Sequence, residues 1–221
     1  MVLRALLLSA LLTLVPVAIG VAVSGDATLS REPAPYKGTP LAEFDTSKAV
    51  VQRAPFCDLV PAAAVEKALG AEATLAAYDN GEQSDAFPVG DVPHEYGCRF
   101  SPSDTTDTTD TTDPTGTAAP VEARGWVFAP PITTDTAQAM ATASVTKACT
   151  ALPAAPAFGT PSAGVLCAGD AVQTVSFRGL FGDAWLACSL TLPADVAQDE
   201  LVDRAGRWCV AVAQAASVPL T

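Results

Sequence analysis

The 221-residue chain has one histidine, two methionines and only 12 basic side chains against 24 acidic ones, a formal charge of −12 at neutral pH. Each shortage closes a class of function. So few cations cannot build a basic surface that tracks phosphates, and a chain at −12 repels nucleic acid and anionic lipid alike. The excess acid serves solubility. With His94 the single imidazole, any histidine-dependent chemistry rests on one residue. No C-x2-C pair occurs, so the clustered thiolates of structural zinc sites are missing. Also missing are the phosphate and dinucleotide cradles G-x-x-x-x-G-K-[ST] and G-x-G-x-x-G and the nucleophile elbow G-x-S-x-G. No cofactor or metal is therefore expected. Large aromatics are few, eight Phe, three Tyr and three Trp, and Ala supplies much of the 49% apolar content. That composition suits one domain of ordinary size with a modest core.

What is present begins at the N-terminus. Arg4 precedes an uncharged run from Ala5 to Val23, 19 residues long, which at about 1.5 Å per helical residue matches a bilayer core. Two readings fit: a signal peptide ending at Ala22-Val23-Ser24, cut before Gly25, or a retained transmembrane anchor. Arg4 on the short leading side puts everything after Ser24 outside the cytoplasm in both. The run exceeds the roughly 7–15 residues of a cleaved apolar region. A polar stretch with Pro33, Pro35 and Pro40, from Gly25 to about Ala54, then reads as an extracytoplasmic linker. Both features favour the anchor. No Cys lies near residue 24 to carry a lipid.

All six cysteines, Cys57, Cys98, Cys149, Cys167, Cys188 and Cys209, lie beyond that segment. An even number in an oxidising compartment reads as disulfides, although six allow 15 pairings. The local patterns narrow the choice. Residues 55–217 read as a single α+β domain, an antiparallel sheet of about five strands with about three packed helices. Helix 1 opens with Pro61 in its first turn and closes at Gly70, with Val65 and Leu69 on one face. Tyr96–Ser101 alternates Tyr96, Cys98 and Phe100, and Arg124–Ala129 is its neighbour. Helix 2 starts at Thr134 and carries Ala137, Ala141, Val145, Ala148 and Leu152 on one stripe up to Pro153. Val165–Cys167, Val172–Leu180 and Ala184–Leu192 are strands separated by Gly-Asp turns. A last helix from about Ala194 to Ala216 presents Leu201, Ala205, Trp208, Cys209, Val212 and Ala216.

Cys188 shares a strand face with Leu186, Leu190 and Leu192, and Cys209 lies on the apolar face of the helix that follows. Packing one on the other joins Cys188 to Cys209. Cys149 then pairs with Cys167, and Cys57 with Cys98. Such closures of 20 to 40 residues each contribute about 3–4 kcal/mol in the chain-entropy model.

Between the first two strands, residues 101–119 contain DTTDTTDTTDPT with Asp104, Asp107, Asp110 and Asp113 in a three-residue period. It matches neither the EF-hand nor the Gly-Asp nonapeptide, so a solvated loop is the better reading than a calcium repeat.

Candidate chemistry is thin. His94-Glu95-Tyr96 stands just ahead of a strand, where a lone histidine is usually structural. Ser144 with Lys147 matches S-x-x-K, and Tyr78-Asp-Asn80 resembles a second motif of penicillin-recognising enzymes, but no K-T-G follows and the order is reversed. Lys147 suits the end of helix 2, where a cation complements the dipole. Asp199-Glu200 and Glu82 with Asp85 are acidic pairs of an ordinary kind. Trp126, Trp185 and Trp208 fall on elements where core packing is the default.

The stretch Phe56-Cys-Asp-Leu-Val-Pro-Ala-Ala-Ala-Val-Glu-Lys-Ala-Leu-Gly70, followed by Tyr96-Gly-Cys-Arg-Phe100, resembles small exported or membrane-tethered actinobacterial proteins of a domain-of-unknown-function family, many of them lipoproteins. The likeness spans about residues 56 to 216 in the order of cysteines, helices and strands. It implies export, disulfides and an α+β fold, and carries over no catalytic residue. The expected function is a non-enzymatic binding or accessory domain held at the cell envelope, with an envelope protein or a small ligand as partner. The alternatives are a cell-envelope hydrolase using His94 and a carboxylate, and a subunit of a membrane complex.

Overall fold

The computed structural model describes residues 36–82, 92–103 and 121–217. Its strands are β1 (Ala73–Tyr78), β2 (Glu95–Pro102), β3 (Glu122–Phe128), β4 (Cys149–Ala151), β5 (Ser162–Ala168), β6 (Val172–Phe181) and β7 (Ala184–Pro193), and its helices are α1 (Ala62–Leu69), α2 (Thr134–Ala143) and α3 (Gln198–Ala215). The strands form one antiparallel sheet in the order β1-β2-β3-β7-β6-β5-β4. This is the α+β class expected, with three helices and seven strands where about five were expected.

The local rules are visible at the helix ends. Pro61 is the residue before α1, not within it, and Gly70 closes the helix at φ +78°, its N–H donating to Glu66 O at 2.7 Å. Arg204, from α3, adds a second stop by donating from Nη2 to Ala68 O at 2.6 Å. Thr133 caps α2 by accepting from Thr136 N at 3.2 Å.

The main core lies between the sheet and the pair α1 and α3. Leu186, Cys188, Leu190 and Leu192 of β7 point into it, and from α3 come Leu201, Ala205, Trp208, Cys209 and Val212, all 2% exposed or less. Trp208 meets Phe100 edge to face at 5.5 Å and donates from Nε1 to Arg124 O at 2.9 Å. A smaller cluster under α2 holds Ala137, Ala141, Leu180 and Trp185. The disulfides Cys57–Cys98, Cys149–Cys167 and Cys188–Cys209 join the expected partners, and no cysteine is left free.

Four expectations are corrected. β1 is an additional strand, its Ala-rich sequence ATLAAY giving little alternation to read. Helix 2 stops at Ala143: Thr146 Oγ1 accepts from Ala148 N and Cys149 N, a tight turn that sends Cys149–Ala151 into β4 beside β5. Val145 is consequently 47% exposed, and Lys147 lies outside the helix. The last helix begins at Gln198, because Ala194 N still bonds to Ala171 O at 3.0 Å at the end of the β6–β7 hairpin. Residues 36–54, expected to be linker, belong to the folded body. Leu41 and Val51 are each 6% exposed, Val51 bridges Ser217, and Arg207 of α3 donates to Gly38 O at 3.1 Å. Among the described residues no helix is long and apolar enough to cross a membrane. The run 5–23 and the repeat aspartates Asp104, Asp107, Asp110 and Asp113 lie outside the described residues.

Candidate functional site

The second face of the sheet is built from the alternate residues of the same strands, and α2 covers it over β5, β6 and the start of β7 at Trp185. The register aligns Ala76, Arg99, Arg124, Ser189, Ser176 and Val165 in one row across the sheet. A second row runs Tyr78, Gly97, Trp126, Ala187, Arg178 and Ala163. A third places Glu122 against Thr191 and Thr191 against Thr174, whose hydroxyls bond at 2.9 Å. The floor consists of small residues: Ala187, Ser176, Ser189 and Thr191 are all at most 7% exposed. Arg99, Arg124 and Trp126 stand on one side of it and Arg178 on the other, all partly exposed.

Three guanidinium groups on one sheet face are unexpected in so acidic a chain. Arg99 and Arg124 are direct cross-strand neighbours, an arrangement that like charge makes unfavourable. Arg124 is neutralised by Glu122, with Nε to Oε1 at 2.7 Å and Nη2 to Oε2 at 3.1 Å. Arg99 and Arg178 have no carboxylate within 4.0 Å among the described residues. Arg178 donates from Nη1 to Ser144 Oγ at 3.2 Å, its Nε is buried without a hydrogen-bond partner, and burial pushes its pKa down. A half-buried cation with an unsatisfied donor carries a desolvation cost that a counter-ion would relieve.

At the β1 end, Tyr78 donates to Glu95 Oε1 at 2.8 Å. Tyr78 is packed over Gly97, where a side chain would meet its ring at 2.1 Å. Burial raises the Glu95 carboxyl above the usual range, opposed by the Tyr78 hydrogen bond and the Arg124 charge. Burial raises the Tyr78 phenol too, reinforced by the Glu95 charge.

The residues singled out from sequence are mostly dispersed. His94 is exposed ahead of β2, with no carboxylate within 4.0 Å among the described residues. Ser144 is 6% exposed at the end of α2, donates to Met140 O at 2.9 Å, and is three residues from a Lys147 that the helix does not reach. Tyr78 is four strands away from β6, where Arg178 holds Ser144. Trp185 and Trp208 are core, as the default reading has it, whereas Trp126 stands on the polar face. Glu200 pairs with Arg204 at 3.1 Å on the surface of α3. Asp199 is exposed nearby, Glu82 is exposed after β1, and Asp85 lies outside the described residues. Sequence reading passed over Arg99, Arg124 and Arg178, which only the strand register brings together. No group of three or more metal-ligating side chains occurs among the described residues. Comparisons with protein-family models, with curated proteins and with solved structures return no match.

Proposed function

We propose that the chain is a non-enzymatic binding domain displayed outside the cytoplasm, tethered by its 5–23 segment, and that the polar sheet face holds an acidic saccharide. The three disulfides are compatible with that compartment. The observation that carries the reading is the pair of guanidinium groups, Arg99 and Arg178, left without carboxylates on either side of a hydroxyl-lined floor. They stand three strand spacings and two residues of register apart, about 16 Å at Cα level, the span of a short oligosaccharide. Arginine suits carboxylate and phosphate oxygens. The partly exposed Thr174, bonded to Thr191, offers a hydroxyl to a polyol, and the Trp126 ring offers a flat apolar surface to a sugar ring. The net charge of −12 opposes an anionic ligand at long range, and screening to about 8 Å at physiological ionic strength leaves the nearby guanidinium groups to dominate at contact. Among the described residues no carboxylate lies within 4.0 Å of His94 to serve the hydrolase alternative.

Calorimetric titration of the oxidised protein tests the proposal, with trigalacturonic acid as probe and neutral galactotriose as control. The acid should bind, more weakly as salt increases. Arg178→Gln and Arg99→Gln should each weaken it at least tenfold, and His94→Ala should leave it unchanged. Equal binding of the neutral sugar, or binding indifferent to both arginine variants, overturns the proposal.

A further inference from the structure

At the opposite end of the sheet from β4, strand β1 has a neighbour on one side only among the described residues. Ser103 N donates to Glu72 O at 2.8 Å, which extends the β1–β2 register and makes Thr74, Ala76 and Tyr78 the hydrogen-bonded partners of β2. The alternate residues Ala73, Leu75 and Ala77 therefore direct their N–H and C=O groups outward. Natural edges of this kind are blunted by lysine, proline or a bulge, and β1 has none of these.

Two clefts flank this edge, of about 420 and 480 Å³, lined in part by Ala73, Leu75 and Ala77 and by Cys57 to Leu59. Leu59 and Leu75 are 65% and 39% exposed there. The charged residues lining the two clefts are Asp58, Glu66, Glu72, Asp79 and Glu82, every one acidic, and none is in an ion pair among the described residues.

We infer that β1 is a docking edge for an extended cationic peptide, which adds an eighth strand to the sheet. Its backbone bonds to Leu75 and Ala77, and the side chains on the cleft side of the new strand are apolar and cationic in turn, the apolar ones lying beside Leu59 and Leu75 and the lysines or arginines meeting the unpaired carboxylates. This edge is distinct from the arginine-bearing face, and the inference does not depend on the saccharide proposal.

The test uses the full oxidised chain and two synthetic peptides in which every second residue is Thr and the residues between are Lys and Val in turn (the Lys-Val peptide) or Glu and Val in turn (the Glu-Val peptide). Binding is read by fluorescence anisotropy and by amide hydrogen exchange. The Lys-Val peptide should bind and slow exchange at the Leu75 and Ala77 amides, and the Glu-Val peptide should bind at least tenfold more weakly. Leu75→Pro removes an outward N–H and leaves the β2 ladder paired, so its exchange protection at Thr74 and Ala76 should persist while peptide affinity falls at least tenfold. A second variant, Asp58→Asn with Glu72→Gln, should weaken the Lys-Val peptide severalfold with the fold intact. No binding, indifference to peptide charge, undiminished binding by the variants, or self-association through β1 in sedimentation would each overturn the inference.

Discussion

Replacing Cys188 and Cys209 together by alanine tests how an aromatic-poor core is held together. The two residues are separated by 21 positions and both are 0% exposed. Releasing a loop of that length returns entropy to the unfolded chain worth about 3.3 kcal/mol. Removing two buried sulfurs from the centre of the core adds about 1.5 kcal/mol, taking each as one methylene-sized group. The expected loss is about 5 kcal/mol, or a fall in Tm of about 10–20 °C for a domain of this size. The Cys149→Ala, Cys167→Ala variant isolates the entropy: its separation of 18 residues is nearly the same, but both cysteines are partly exposed at the sheet edge, so about 3 kcal/mol should be lost. Urea unfolding without reductant, followed by tryptophan fluorescence and far-ultraviolet circular dichroism, gives both numbers. The m-value should rise in each variant, because the released chain exposes more surface. A Cys188/Cys209 variant no less stable than the Cys149/Cys167 variant would refute the claim that this pair acts as both cross-link and core.

Three further outcomes follow from single contacts. Gly179→Ala places a methyl group 1.5 Å from Phe158 O; the segment must lift off β6, breaking Thr160 N to Leu180 O and Leu180 N to Pro161 O, with an expected loss above about 4 kcal/mol in the same urea assay. Trp208→Phe removes the donor to Arg124 O and leaves a gap where the second ring of the indole packed, together costing about 1–3 kcal/mol; a neutral variant would contradict it. Glu95 has its folded-state pKa raised chiefly by burial, so the folded state holds this proton more tightly than the unfolded chain does. Its contribution to stability is present below the unfolded carboxylate value and is lost as pH rises through the folded one. Glu95→Gln keeps an acceptor for Tyr78 and abolishes that loss, so its stability relative to the parent should increase with pH across this interval in pH-resolved melting; a constant difference would contradict the assignment.

How far the fold was legible depends on which period each residue obeys. Cys188 and Cys209 could be paired from sequence because a two-residue period fixed one face and a 3.6-residue period the other. Helix 2 was over-extended for the same reason in reverse: Val145, Ala148 and Leu152 continue its stripe, but the Thr146 turn and the pairing of β4 with β5 override the pattern. β1 was missed because Ala is neither a strong strand former nor a marker of faces, and its placement comes from pairing with β2. Residues 36–54 looked like linker because their apolar residues follow neither strand nor helix period, and Leu41 and Val51 find the core only in three dimensions. The candidate site was the least legible part. Arg99, Arg124 and Arg178 belong to three strands, and nothing local in sequence marks them as sharing a face.

The central claim is that this shared face binds an acidic saccharide through its unpaired arginines. Proton–nitrogen correlation spectra of the oxidised protein, recorded as trigalacturonic acid is added, address it residue by residue. The Nε–H signals of Arg99 and Arg178 and the indole N–H of Trp126 should move together along one saturating curve, while the indole signals of the buried Trp185 and Trp208 stay in place. Static arginine and Trp126 signals at saturating probe, or shifts confined to another surface, would contradict the account.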